Sequence, residues 1–161
     1  MFNFFKKKAV DYNCYAPVNG TCISLDDVCD KVFSSRMMGD GVAFQFVDDV
    51  VCAPCDGTIV MLASTNHAFG LQADNKAEIL VHVGLDTVNL NGEGLKVLVK
   101  QDQYVKKGTP IIQLDRAYLD AKGIDLTTPM IVTNGNEFTL TTQHINDKVR
   151  VGETAVITCV K

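Results

Sequence analysis

The stretch STNHAFGLQADNKAEILVHVGLDT, residues 64–87, decides how the rest of the chain is read. Within it, Ile79-Leu80-Val81-His82-Val83-Gly84-Leu85 is apolar on both parities, rich in β-branched residues and too short for a buried helix. That pattern predicts a strand covered on both faces. His82 is then a polar residue inside a strand. Asn66 to Ala73 forms a second candidate strand, and Asp74-Asn75 supplies residue types that tolerate positive φ in a two-residue turn between them. Register follows by arithmetic, because directly opposed residues of an antiparallel hairpin share one sum and a turn at 74 and 75 sets 67 opposite 82. His67 and His82 are therefore expected to face each other with Cβ atoms roughly 4.5 to 5.5 Å apart. The expectation depends on the turn, since a one-residue slip moves every side chain to the other face.

Two imidazoles at that separation admit three readings. One is a satisfied core histidine beside an unrelated surface histidine. A zinc site is a second, but zinc takes three or four protein ligands and no third His or Cys falls at ligand spacing. The third is nucleophilic catalysis, in which one neutral imidazole attacks while the other donates a hydrogen bond to the charge that develops. The physics of the residues leaves the choice open.

A resemblance narrows it. Ala77 to Val88, AEILVHVGLDTV, resembles the active-site signature of the glucose-type enzyme IIA component of the bacterial phosphoenolpyruvate-dependent sugar phosphotransferase system. Thr65-Asn66-His67-Ala68-Phe69 resembles that family's second-histidine motif, at the matching distance upstream. Three further segments agree in order: Gly39-Asp40-Gly41, Ala53-Pro54-Cys55-Asp56-Gly57-Thr58-Ile59 and Leu90-Asn91-Gly92-Glu93-Gly94. The similarity runs from about Tyr15 to the C-terminus.

The resemblance implies that His82 takes a phosphoryl group from the histidine phosphocarrier protein and passes it to the IIB domain of a sugar permease, with His67 stabilising the phosphoryl group. Thr65 shares parity with His67 and is expected to orient a ring through its hydroxyl. The segment Asp30 to Met38 aligns with one that gives the family an apolar collar and an acidic rim, which implies partner contacts at Asp30, Val32, Phe33, Met37 and Met38, with Phe69 and Val83 nearby. Asp86 shares parity with His82. A carboxylate there repels a phosphoryl dianion, so Asp86, like Asp30, is expected to pair with a basic residue of a partner. No metal or organic cofactor is implied.

Composition sets the outer limits. At 161 residues the chain has the length of one domain. A formal charge of −4 with no basic stripe argues against nucleic acid as a partner. No apolar run approaches the roughly 20 residues that span a bilayer, so the chain is not read as a channel. The six cysteines are irregularly spaced and follow no signal peptide, which favours reduced thiols and a cytoplasmic location. Cys52-Ala53-Pro54-Cys55 is a C-x-x-C, but with no second pair and no following helix it reads as small hydrophobes rather than a redox motif. His144 reads as a surface residue.

The chain also repeats itself. Ala16-Pro17-Val18-Asn19-Gly20-Thr21 matches Ala53-Pro54-Cys55-Asp56-Gly57-Thr58, each a turn feeding a strand. Val105-Lys106-Lys107-Gly108 and Val149-Arg150-Val151-Gly152 likewise precede apolar strands. Two β-rich halves of similar build predict an all-β fold, a single antiparallel sandwich or barrel-like domain over residues 15–161 preceded by a flexible segment 1–14. Short helices are expected only at Leu114 to Lys122 and near Glu137 to Gln143. Residues 1–8, with three Phe before three Lys, read either as a loose tail or as a weak anchor on anionic lipid.

Two rival functions stand beside the phosphocarrier. The A-P-x-[ND]-G-T turns also resemble those of biotinyl and lipoyl carrier modules, although no Met-Lys-Met occurs. A regulatory protein that binds permeases or kinases through the same face is the other.

Overall fold

The computed structural model describes residues 9–161, and the anchor proposed for residues 1–8 lies outside them. The chain runs through β1 (Asn13–Tyr15), β2 (Gly20–Ser24), α1 (Lys31–Ser34), β3 (Asp40–Phe46), β4 (Val50–Cys52), β5 (Gly57–Leu62), β6 (Ala68–Ala73) and β7 (Glu78–His82). It continues through β8 (Leu95–Val97), β9 (Tyr104–Val105), β10 (Pro110–Leu114), α2 (Arg116–Ala121), β11 (Thr128–Val132), β12 (Thr139–Thr142), β13 (Lys148–Val149) and β14 (Ala155–Val160). β1 takes in Asn13 and Cys14, the last two residues of the segment expected to precede the domain.

Every strand pair is antiparallel. The large sheet has the order β13-β2-β3-β11-β7-β6-β5-β9, and two three-stranded sheets, β1-β14-β12 and β4-β10-β8, complete the fold. Strand alternation sorts the large sheet's side chains between its faces. Phe44, Phe69, Leu71, Ile79, Val81 and Met130 enter the main core, where they meet Val51, Ile111, Ile112, Val156 and Ile157 of the smaller sheets. Each such side chain, removed from water, contributes about 1.5–3 kcal/mol. The expected antiparallel sandwich is thus the observed fold.

The other face of the large sheet carries a smaller apolar cluster: Ile23, Ala43, Ala68, Leu80 and Ile131 from the strands, covered by Leu25, Val28, Phe33 and Leu85. Of this cover, Phe33 comes from α1, a single helical turn that propensity alone does not announce. Asp30 starts it, its carboxylate accepting the Val32 N–H at 2.9 Å. Arg36 closes it by bridging Asp26 at 2.6 Å and Asp40 at 2.9 Å.

The repeat has a physical cause. Gly20 and Gly57, the glycines of the two A-P-x-[ND]-G-T segments, both lie against a neighbouring strand; a Cβ there would sit 2.1 Å from the Gln45 carbonyl and 2.2 Å from the Gln72 carbonyl. No residue but glycine fits.

Two expectations about helices divide. α2 lies inside Leu114 to Lys122. Glu137 to Gln143 is not a helix: a 3-10 turn, Gly135–Glu137, leads into β12, whose Thr-rich sequence pairs with β14. β-branched threonines lose rotamer freedom in a helix and fit a ladder better.

Candidate active site

His82 ends β7 and His67 immediately precedes β6. Their rings stand 4.9 Å apart, centroid to centroid, at 76°. The juxtaposition is the one expected, but the register that predicted it is not the one observed. Ala68 pairs with His82 and Phe69 with Val81, a slip of one residue. The slip begins at the turn, a three-residue loop of Asp74, Asn75 and Lys76, closed by the Ala73 N–H bonding the Ala77 carbonyl at 2.8 Å. Lys76 takes the left-handed conformation, φ +75°.

His67 reaches His82 because it is not in a strand at all. It is the last residue of the loop joining β5 to β6, after Asn66 at φ +60°. The Asn66 side chain donates to the Leu95 carbonyl at 3.3 Å, and the His67 carbonyl accepts the Val83 N–H at 2.7 Å. Alternation therefore does not constrain the ring, which turns to the face on which Ala68, Leu80 and His82 lie.

The slip also corrects two of the expected partner contacts. With the true register, Phe69 and Val83 point away from His82 into the main core, both 0 % exposed, and present no surface to a partner. Phe33 is nearly buried too, its ring 5.0 Å from that of His82, so it is a floor under the imidazole rather than part of an exposed collar. Val32, beside it on α1, is exposed. Met37 and Met38 are exposed as well, but they border a groove with Val132, Thr133, Phe138 and Leu140; neither histidine lines that groove. It opens at the end of β11 that pairs with Ile79, three residues before His82.

The hydrogen bonds assign the chemistry. His82 Nδ1 lies 2.7 Å from the Gly84 carbonyl oxygen. A carbonyl only accepts, so Nδ1 carries the proton and Nε2 keeps its lone pair. His67 Nδ1 meets the Thr65 hydroxyl at 2.6 Å. When that hydroxyl donates, Nε2 of His67 carries a proton and becomes a donor. Burial holds both rings below the ordinary histidine pKa; at His67 the neighbouring imidazole adds to it. At His82 the Gly84 bond and the carboxylates of Asp30 and Asp86 oppose burial without overcoming it. Both carboxylates are thus electrostatic neighbours of His82. At neutral pH the pair is uncharged.

The sequence reading missed the Gly84 carbonyl and the loop position of His67. A glycine two residues after a strand histidine, and an Asn before another, were the available signals. The C-x-x-C reading stands: among the described residues the cysteines are free, with Cys52 and Cys55 buried, and burial pushes Cys52 up to about 11, leaving little thiolate. His144 is exposed and meets Asp147 at 3.2 Å.

The chain is similar in sequence to curated proteins and in structure to a solved one. The PTS system glucose-specific EIICBA component of Staphylococcus saprophyticus is 43% identical over 141 residues, 88% of this chain and 21% of that protein. The N-acetylglucosamine-specific EIICBA component of Klebsiella pneumoniae is 39% identical over 139 residues, 86% of this chain and 21% of that protein. The chain thus spans about a fifth of the length of these curated relatives. The solved structure of glucose permease IIA from Mycoplasma capricolum is 38% identical and superposes with a TM-score of 0.83, covering 96% of this chain and 97% of that one. A biotinyl or lipoyl module is thereby set aside. The family model for the phosphoenolpyruvate-dependent sugar phosphotransferase system, EIIA 1, matches residues 12–138, and the chain belongs to that family.

Proposed function

We propose that this chain is a phosphocarrier of a sugar phosphotransferase system, acting in the cytoplasm, and that His82 is its phosphoacceptor. The observation that carries the reading is the Nδ1 bond to Gly84, which leaves an uncharged ring with its Nε2 lone pair free. The Nε2 lone pair attacks phosphorus in line; a P–N bond forms at Nε2 as the donor's P–N bond breaks, and the departing nitrogen keeps the bonding pair. Positioning and electrostatics do most of the work in such a transfer. His67 donates from Nε2 to the phosphoryl oxygens while the Thr65 hydroxyl donates to its Nδ1. The Phe33 ring excludes water from one side of the phosphohistidine.

The donor in this reading is the histidine phosphocarrier protein. The acceptor is the IIB domain of a sugar permease, which the relatives named as EIICBA components support. Asp30 and Asp86 flank His82 and meet basic groups of those partners, with exposed Val32 as an apolar contact. Phosphotransfer from purified phosphocarrier, read by intact mass and by site localisation under alkaline conditions, tests the reading. His82→Ala abolishes incorporation. Incorporation at His67 or His144 at a comparable rate in that variant refutes it.

A further inference from the structure

Among the described residues, the buried side chains that carry a polar group other than a thiol are Thr87 and Thr128, both 0 % exposed. Placing a hydroxyl in a core costs free energy unless it is bonded, and valine has the same shape without that cost. Both hydroxyls are bonded, and to the same peptide unit. Thr87 donates its hydroxyl to the Val83 carbonyl at 2.6 Å. The Gly84 N–H, the other end of that peptide, donates to the Thr128 hydroxyl at 3.4 Å, and Thr128 in turn donates to the Leu126 carbonyl at 2.9 Å. The next peptide is held as well, its Leu85 N–H bonding the Asp125 carbonyl at 2.8 Å. Its own carbonyl, that of Gly84, is the one that accepts from His82 Nδ1.

Gly84 sits at φ +76°, and a Cβ there would lie 2.6 Å from Thr87 Cγ2. This backbone conformation is held from both sides rather than merely permitted. A carbonyl free to rotate about that glycine would lose its aim at Nδ1, and an imidazole without that acceptor exchanges between tautomers.

We propose that Thr87 and Thr128 are positioning residues for phosphoryl transfer: they clamp the Val83–Gly84 peptide so that the Gly84 carbonyl holds His82 in the Nδ1–H form with Nε2 aimed outward. The proposal rests on His82 as phosphoacceptor, but its first readout does not. Nitrogen-15 NMR of the His82 ring reports the tautomer with no partner present. The wild-type chain shows a single Nδ1–H species. Thr87→Val shows a mixture with the Nε2–H form, a displaced titration of the ring, and phosphoryl acceptance slower by about 5- to 10-fold, the worth of one hydrogen bond. Thr87→Ser, which keeps the hydroxyl, restores all three. If Thr87→Val does not fold, Thr128→Val, which loses the longer contact, carries the same test. A wild-type tautomer and rate in the folded valine variant overturn the proposal, as does an equal loss in the serine variant, which assigns the effect to packing. A wild-type chain that accepts no phosphate, yet loses its single tautomer in Thr87→Val, overturns the phosphoacceptor reading and leaves the clamp standing.

Discussion

His82 and His67 bring their rings within 4.9 Å by unlike routes. His82 ends a central strand, and its ring proton goes to a backbone carbonyl that can only accept. His67 hangs from a loop, and its Nδ1 meets a hydroxyl that can either donate or accept. The first arrangement fixes one tautomer; the second lets the proton move. A nucleophile needs its lone pair in one place throughout. A group that must meet a neutral site, then a phosphoryl dianion, gains from a partner that can reverse its bond. The two histidines are therefore not interchangeable halves of a pair.

Exchanging the substitutions is the most direct way to break this contrast. His82→Gln removes the proposed nucleophile, and single-turnover mass measurements should show no acceptance at all. His67→Gln keeps an amide donor near the same place, so acceptance should survive in part, with a loss within the roughly 10²- to 10³-fold that removing a preorganised donor costs. Delivery to IIB should suffer more than acceptance, because a phosphoryl group held without its donor is poorly oriented for the next attack. Equal and small effects on both half-reactions would reduce His67 to packing.

Gly84→Ala sharpens the backbone side of the comparison. An L-residue at φ +76° with its Cβ 2.6 Å from Thr87 should cost about 1–3 kcal/mol, a fall in Tm of several degrees by calorimetry, and should disturb His82 rather than His67 in ring NMR. pH comes next. Both rings are held below the ordinary value near 6.5, so between their folded values and about 6.5 the unfolded chain binds more protons. The stability from keeping them neutral is complete above about pH 6.5 and is lost as pH falls toward the folded values. Acceptance should fall as pH drops, with its half-loss at a pH below 6.5; a half-loss above pH 6.5 would contradict the direction of both shifts. The smallest effect belongs to Thr65→Val, which removes one hydroxyl contact worth about 1 kcal/mol, or roughly 5-fold in rate, and leaves the His82 tautomer unchanged.

The strand at Ile79 to His82 was legible because both of its faces are covered, and covered strands carry apolar residues on both parities. The repeat was legible because two glycines meet the same steric limit. Register was not. Asp74-Asn75 has the chemistry of a two-residue turn, and nothing in Lys76 announces positive φ; the extra residue displaced every cross-strand pair by one and put Phe69 on the wrong face. The histidines still meet because a second irregularity, the loop ending at His67, offsets the first. α1 is a single turn held by its cap and by Arg36, contacts between residues that local periodicity does not weigh. The exposed methionines at 37 and 38 read as part of the collar by alignment, and only the path of the chain through Arg36 and Gly39 places them along a different groove.

The pairing of β1 with β14 has a mechanical consequence. Asn13 stands opposite Thr158, so the first and last strands lie side by side with their outer ends together. A pull on both ends acts across this ladder rather than along it, parting its hydrogen bonds one pair after another instead of all at once. Both strands belong to a small sheet apart from the one that carries His82. Load applied through these two strands therefore acts first on a sheet other than the one that carries His82.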